Sequence, residues 1–324
     1  MKRIIGITLR LLGVILVAIL GIAAYVQIKG IPTYKPIIPT DFKADATPQR
    51  VEHGLKSVTL ACYDCHVSKE ENQLSGKFIA DMPKEFGVVY SKNITKHPDK
   101  GIGKWTDGEI AYFLRTGVRK DGTYAPPYMP KFPLMSDEDI RSVIAFLRSD
   151  HVFVQPSERQ PPLTQPSFLT KMLATFIFKP YPFDLAPAVT PTPSDEKVYG
   201  KYLADAVYGC TNCHSKDFKS NNELVPPKNV GYGAGGNPMP DLEGNIINSA
   251  NITPDKQTGI GDWTAEEFIA EVKHGKGKDG QPLRYPMAPK AAMDSNEIKA
   301  IFSYLKTIPA INNPVDRNLK KAGL

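Results

Sequence analysis

All four cysteines of the 324-residue chain occur in two copies of one short motif, C-x-x-C-H. The motif residues are Cys62, Cys65 and His66 in the first copy, and Cys210, Cys213 and His214 in the second. Two thiols one helical turn apart can each add to one vinyl group of the same porphyrin, and the adjacent histidine then lies beneath the iron. The spacing therefore predicts two covalently attached haem c groups, with the histidines as proximal iron ligands.

A zinc site and redox-active disulfides are the other structures that use cysteines in pairs. A zinc site would have to bring together two pairs that are separated by 144 intervening residues. Both alternatives leave the histidine of each motif without a role, so covalent haem explains the sequence better. Because haem c is attached outside the bacterial cytoplasm, the motif also predicts an extracytoplasmic location.

An internal repeat extends beyond the two cysteine motifs. Several short segments recur at an offset of 158 residues, whereas the cysteine motifs recur at an offset of 148. The matched segments are residues 93–95 and 251–253 (Asn-Ile-Thr), 101–103 and 259–261 (Gly-Ile-Gly), Trp105 and Trp263, Gly117 and Gly275, and 121–122 and 279–280 (Asp-Gly). The repeat predicts two units of the same kind.

The 158-residue offset also pairs Met129 with Met287, and both methionines lie in proline-rich loops. A stiff loop can hold a thioether against the haem iron on the face opposite the histidine, and methionine ligation raises the reduction potential of a haem. We therefore predict Met129 and Met287 as distal iron ligands. Met82 and Met239, which pair at an offset of 157 and each precede a proline, are the alternative ligands.

Other residues near these motifs favour structural roles or leave their role open. Met135 and Met293 each precede a helix N-cap, where an apolar side chain commonly packs against the first turn. Asn93 and Asn251 are interpreted as loop or capping residues. Arg284, in the second methionine loop, either pairs with a haem propionate or is solvated at the surface.

The helix signals predict a mainly α fold. A capping box at Thr106 and Glu109 recurs at Thr264 and Glu267, and few segments alternate between apolar and polar residues as strands do. We expect two domains, each wrapped around one haem. The predicted boundaries are residues 1–40 for an N-terminal membrane anchor or signal segment with its linker, 41–151 for the first domain, 152–189 for a proline-rich linker, 190–311 for the second domain and 312–324 for a C-terminal tail.

The linker region is rich in proline, with eight prolines in residues 152–191. This composition predicts a connector that fixes the spacing of the two domains. Within it, the apolar residues 168–178 predict a short helix. That helix packs between the domains, or else it touches a membrane surface or a partner subunit.

Residues 11–26 form an uninterrupted apolar run that follows Lys2, Arg3 and Arg10. This pattern predicts a retained membrane anchor or a cleaved signal peptide, and both place the rest of the chain outside the cytoplasm. The net charge of +6 comes mainly from residues 1–40 and the C-terminal tail, while the predicted domains are close to neutral. This distribution argues against nucleic-acid binding.

The combined motifs resemble the cytochrome c subunits of membrane-bound alcohol and gluconate dehydrogenases, and related di-haem c-type cytochromes. The resemblance rests on both C-x-x-C-H motifs, Asn-Ile-Thr-Pro-Asp at 251–255, Gly-Ile-Gly-Asp-Trp at 259–263 and the methionine–proline loops. It covers about residues 45–150 and 190–310, although residues 96–97 are Lys-His where the family has Pro-Asp. It implies two tandem class I cytochrome c-like domains after the apolar helix, each around one covalent haem.

The predicted function is that of a membrane-tethered di-haem electron carrier rather than an enzyme. It would take electrons from a dehydrogenase or respiratory complex and pass them to an oxidase or a soluble cytochrome. The expected location is the bacterial inner membrane with the haem domains on the periplasmic side, or the soluble periplasm if the apolar segment is cleaved. The alternative is a di-haem peroxidase, which needs one haem with an open coordination site; the symmetry of the two methionine loops argues against it.

Overall fold

A computed structural model describes residues 2–187, 189–241, 243–278, 280 and 282–316. The described part of the chain is mainly helical, as predicted, and its strands are short. The helices are α1 (Lys2–Lys29), α2 (Pro48–Ala61), α3 (Tyr63–His66), α4 (Asp107–Thr116), α5 (Asp137–Arg148), α6 (Phe168–Phe176), α7 (Glu196–Tyr202), α8 (Cys210–Cys213), α9 (Ala265–His274) and α10 (Ser295–Leu305). The strands are β1 (Gly87–Val88), β2 (Gln165–Pro166), β3 (Pro238–Pro240) and β4 (Ile246–Asn248).

The two halves of the chain use the same helix contacts. Helix α2 packs on α5 in the first half, and α7 packs on α10 in the second. Each pair meets at a glycine, because a Cβ atom on Gly54 would lie 1.9 Å from the Ser142 carbonyl oxygen and one on Gly200 would lie 1.9 Å from the Ala300 oxygen. Only a residue without a side chain permits this approach. Ser142 and Ala300 are themselves separated by the 158-residue offset of the repeat.

Both predicted capping boxes are present. The Thr106 hydroxyl accepts from the Glu109 amide at the start of α4, and Thr264 accepts from Glu267 at the start of α9. In each box the glutamate side chain accepts in return from the backbone amide of the capping threonine, which satisfies two otherwise unpaired amides. Asp279, in the second copy of the Asp-Gly segment of the repeat, lies outside the described residues.

The two halves are joined by one continuous apolar core. Two sets of polar contacts lie at the edge of this core. One joins α2 to the start of α10, and the other joins α7 to the start of α5. Lys56 on α2 lies 2.6 Å from the Glu297 carboxylate of α10 and 2.9 Å from that of Asp294. Tyr202 on α7 donates its hydroxyl proton to Asp139 of α5 and accepts from the Ser136 amide at 2.9 Å.

The proline-rich segment runs along the first half. Strand β2 pairs antiparallel with β1, and the Asn93 side chain donates to the Ser157 carbonyl at 3.0 Å. The predicted helix within this segment forms as α6. Its main contacts are with α1 and the 3₁₀ turn Lys84–Phe86. The role of the whole segment as a connector that fixes the spacing of the two halves stays a prediction.

Helix α1 differs from the rest of the chain in its exposure. Residues Arg3–Lys29 have a mean hydropathy of 2.5, and α1 is the one helix within the described residues that is long and apolar enough to cross a membrane. Most of its apolar side chains are exposed, but Val26 near its end is completely buried. The helix therefore projects from the protein body and joins it at its last turn.

Candidate functional site

Each C-x-x-C-H motif folds as a single helical turn. In the first copy the His66 amide donates to the Cys62 carbonyl at 2.9 Å, and in the second the His214 amide donates to Cys210 at 3.0 Å. This turn brings both cysteines of a motif to the same side of the backbone. The local geometry is therefore the one that the spacing predicts for attachment of a single porphyrin.

Both motif histidines are held through the same ring atom. The Nδ1 atom of His66 lies 2.7 Å from the Lys92 carbonyl oxygen, and Nδ1 of His214 lies 2.8 Å from the Ala250 carbonyl oxygen. A carbonyl can only accept, so each Nδ1 carries the proton of this hydrogen bond. A histidine held in this way presents Nε2 to a metal. Burial lowers the pKa of His66, which favours the neutral imidazole that ligates iron.

The repeated Asn-Ile-Thr segment positions these two carbonyl groups. The side-chain oxygen of Asn93 accepts from the amide of Thr95 at 2.9 Å and from its hydroxyl at 2.7 Å. Asn251 and Thr253 make the same two bonds at the same distances. The asparagines are thus loop residues, as predicted, and each directly follows the carbonyl that holds a histidine. The carbonyl partners themselves were missed by the sequence reasoning, although the repeat marked the segment that carries them.

The four cysteines are free and half-buried. Burial raises the pKa of Cys62 to about 12, and the pKa of Cys210 likewise to about 12. A neutral thiol has little of the thiolate character that thiol–disulfide exchange requires. In the described ranges, no three His, Cys, Asp or Glu side chains are grouped to hold a metal ion. Neither the zinc alternative nor the disulfide alternative gains support.

The predicted distal ligands lie in half-buried loops. Met129 packs against the shared core, and its loop is fixed by the Ala125 amide, which donates to the Gly117 carbonyl at 2.8 Å. Met287 is also half-buried. Ligation by either residue stays a prediction. Among the other methionines, Met82 is half-buried and Met239 lies within β3.

Met135 and Met293 are core residues, as their position before an N-cap predicts. Their side chains are only 2% and 3% exposed, and both belong to the apolar core. This burial favours the core-packing interpretation of both residues.

The first site is bordered by three half-buried cations, and the charge of Glu223 offsets only part of the effect of burial on one of them, Lys131. Burial lowers the pKa of Lys92, of Arg119 and of Lys131, and it brings the pKa of Lys131 to about 7. The positive charge of Arg119 lowers the pKa of both lysines further. In the described part of the chain none of the three forms a salt bridge, and Lys131 donates to the Pro126 carbonyl at 2.9 Å. Half-buried cations without a salt bridge are costly, so this cluster fits a ligand that carries carboxylates.

The second site contains a comparable unsatisfied group. The Nη1 atom of Arg284, in the loop of Met287, is buried and has no hydrogen-bond partner within the described residues. This favours the propionate role over the solvated one for Arg284. The residues at both sites therefore fit a haem, whose two propionates are carboxylates.

Residues 51–150 match the cytochrome c family. They form a cytochrome c domain. This domain contains the first cysteine motif and Met129, and it implies covalently bound haem c. Cys210, Cys213, His214 and Met287 lie outside the matched range, so their assignment depends on the internal repeat.

The chain is also similar to cytochrome subunits of dehydrogenases. It is 30% identical over 293 residues to the fructose dehydrogenase cytochrome subunit of Gluconobacter japonicus, an alignment that covers 85% of this chain and 56% of the relative. It is 29% identical to the cytochrome c subunit of alcohol dehydrogenase (quinone) from Gluconobacter oxydans, covering 85% of this chain and 58% of the relative. The chain thus spans just over half the length of these two relatives.

A di-haem relative covers more of its own length. The diheme cytochrome c-type protein of Cereibacter sphaeroides is 28% identical over 271 residues, which are 77% of this chain and 82% of the relative. These similarities confirm the resemblance that the motifs indicate and imply electron transfer. They give no support to the peroxidase alternative.

Proposed function

We propose that this chain is a membrane-tethered di-haem electron carrier with two tandem cytochrome c-like domains. The observation that carries the proposal is the repeated histidine geometry. His214 is held through Nδ1 by the carbonyl of Ala250 as His66 is by that of Lys92, at distances of 2.8 and 2.7 Å. The second motif therefore has the same local arrangement as the motif inside the cytochrome c domain.

The residues proposed to hold each haem follow from this equivalence. They are Cys62, Cys65, His66 and Met129 for the first haem, and Cys210, Cys213, His214 and Met287 for the second. When bound, the haems supply reversible one-electron chemistry. The protein favours a neutral His66 and orients both imidazoles, and Lys92, Arg119, Lys131 and Arg284 are placed to neutralise the propionates.

The proposed partners are a dehydrogenase as electron donor, and an oxidase or a soluble cytochrome as acceptor. The donor class is suggested by the relatives, which are named as cytochrome subunits of fructose and alcohol dehydrogenases. The chain itself acts as a non-catalytic subunit. A histidine and a methionine would hold each iron, which would leave no vacant position for a substrate.

Helix α1 is proposed as the membrane tether, with the haem domains on the periplasmic side of a bacterial inner membrane. Its length and hydropathy suit a bilayer, and the buried Val26 near its end connects it to the first domain. The proposed domains are residues 41–151 and 190–311, joined by residues 152–189. Flotation of the full chain with lipid vesicles tests the tether.

A haem count on the denatured protein tests the attachment. We expect two haems per chain for the natural sequence, and one for each of the paired variants Cys62→Ala with Cys65→Ala and Cys210→Ala with Cys213→Ala. A natural-sequence count below two contradicts the proposal. So does a variant of the second motif that keeps the full count.

Visible and near-infrared spectra test the distal ligands. Replacing Met129 or Met287 by alanine should abolish the methionine-to-iron charge-transfer band of one ferric haem. The matched controls are Met82→Leu and Met239→Leu, which should leave the band intact. The opposite pattern would assign ligation to Met82 and Met239.

The carrier role is tested by mixing the protein with membranes that contain a quinone-linked dehydrogenase and its substrate. Both haems should become reduced, and hydrogen peroxide should not reoxidise them at the rates of a peroxidase. Rapid peroxide turnover would favour the peroxidase instead.

A further inference from the structure

Helix α6 has the reverse of the usual amphipathic arrangement. The side chains that it buries are Thr170 and Ala174, whereas Phe168 and Phe176 are 45% and 52% exposed. At 100° per residue, Leu169 and Met172 fall on the same stripe as the two phenylalanines. Four large apolar side chains of α6 therefore form an outward face, which is defined by the exposed Phe168 and Phe176 and the half-buried Leu169 and Met172.

This orientation is fixed by contacts on the opposite side of α6. Ser167 caps the helix, and the Thr170 hydroxyl donates to the Phe86 carbonyl at 2.8 Å. Ala174 is completely buried. A rotation that turned the phenylalanines inward would break the Thr170 hydrogen bond and place bulky rings where Ala174 now fits.

Helix α6 packs beside α1 at the level where α1 leaves the protein body. Lys171 donates to the side-chain oxygen of Gln27 at 3.1 Å, and α1 and α6 are in contact. Val26 is completely buried here, whereas Ile22, one turn earlier, is 54% exposed. The contact at Gln27 lies only about 3 Å beyond Tyr25 along the axis of α1, at 1.5 Å per residue. The outward face of α6 is thus within one turn of the apolar span.

The polar residues around this junction suit a lipid surface. The Lys29 ammonium group donates to the Tyr25 hydroxyl at 2.7 Å, and a tyrosine beside a lysine at the end of an apolar span is typical of the membrane–water boundary. Lys179, which closely follows α6, is exposed. Cations beside an exposed apolar face favour binding to anionic headgroups.

We propose that α6 is an interfacial helix, which lies on the bilayer that α1 enters and turns its outward face toward the lipid. The inference rests on the proposed tether. Lipid is the occupant because α6 contacts α1 where its apolar span ends, and that span itself suits a bilayer. An interfacial helix inserts its apolar side about 5–10 Å into the headgroup region, so α6 would hold the first cytochrome c domain against the membrane at a fixed orientation.

The test uses the haem-loaded full chain in vesicles of phosphatidylcholine and phosphatidylglycerol that contain a phospholipid with a photoactivatable acyl chain. After illumination, lipid adducts are mapped by peptide mass spectrometry. We expect adducts on residues 168–176 as well as on α1. The internal reference is Val198 on α7, an apolar side chain that is also 52% exposed; its peptide should carry severalfold fewer adducts.

A double variant, Phe168→Ser with Phe176→Ser, should lower the adduct yield on the remaining residues of α6 severalfold without changing the haem spectrum. Val198→Ser is the matched control and should change nothing. The proposal is overturned if the α6 peptide carries no more adducts than the Val198 peptide. It is equally overturned if the double variant leaves the adduct yield on the remaining residues of α6 unchanged.

Flotation separates this inference from the tether. Protein that floats with the vesicles but carries no adducts on α6 leaves the tether intact and refutes the interfacial helix. Protein that does not float refutes both. Floating protein with lipid adducts on α6 supports both.

Discussion

Replacement of Lys56 by methionine should strongly destabilise the protein, because it leaves a buried carboxylate without its cation. The Glu297 side chain is 5% exposed and lies 2.6 Å from the Lys56 ammonium group, which is 18% exposed. Breaking a buried ion pair by removing one partner typically costs 3–5 kcal/mol. Two tyrosine hydroxyls, of Tyr199 and Tyr208, still donate to Glu297 at 3.3 Å in the variant. We therefore expect a cost at the lower end, about 3 kcal/mol.

The assay is urea unfolding of the haem-loaded protein, followed by circular dichroism. Lys104→Met is the matched control, because Lys104 pairs with Asp99 at 2.6 Å while both side chains are more than 60% exposed (65% and 68%). An exposed pair contributes at most about 1 kcal/mol. The double variant Lys56→Met with Glu297→Gln should recover at least about 1 kcal/mol of the loss, because it removes the unpaired charge.

Two results would refute the reasoning. The first is a Lys56→Met variant that loses no more stability than Lys104→Met. The second is an unfolding curve of the natural sequence with two separate transitions, because a shared core should make both halves unfold together.

Three further predictions follow from single sites. Gly54→Ala should cost more than about 2 kcal/mol in the same assay, since its Cβ would lie 1.9 Å from the Ser142 oxygen. Burial raises the pKa of Asp139, but the hydrogen bonds from His53 and Tyr202 and the charge of His53 together outweigh this and leave the pKa below its ordinary value of 3.8. The stability that this depressed pKa contributes is present above that value and is lost as the pH falls through the folded-state pKa. Asp139→Asn should therefore flatten the acid limb of a stability–pH profile. Arg119→Gln should lower the reduction potential of the first haem by on the order of tens of millivolts in a redox titration, because it removes a nearby positive charge. An unchanged potential would show that Arg119 does not lie near the haem.

Features that depend on local sequence could be predicted. The two motif turns, the capping boxes at Thr106 and Thr264, and the burial of Met135 and Met293 follow from spacing within a few residues. The repeat also located the Asn-Ile-Thr loops.

Features that depend on distant packing could not be predicted. The Lys92 and Ala250 carbonyls are backbone atoms, which every residue possesses, so no residue type marks them as histidine partners. The union of the two halves into one core arises from contacts between α2 and α10 and between α7 and α5, which no local pattern encodes. The sequence likewise indicates that α6 is an apolar helix, but only its tertiary contacts decide which side faces outward.

The reciprocal contacts between the halves have the form of an isologous interface, the kind that two identical subunits make around a two-fold axis. Lys56 and Tyr202 occupy equivalent places, each two residues after a glycine that contacts the last helix of its own half. In a homodimer, one residue would have to serve both places. Because both halves belong to one chain, the two places can differ, with an ammonium group at one and a phenol at the other. The connecting segment also fixes the effective concentration of each half at the other, so their pairing does not weaken on dilution.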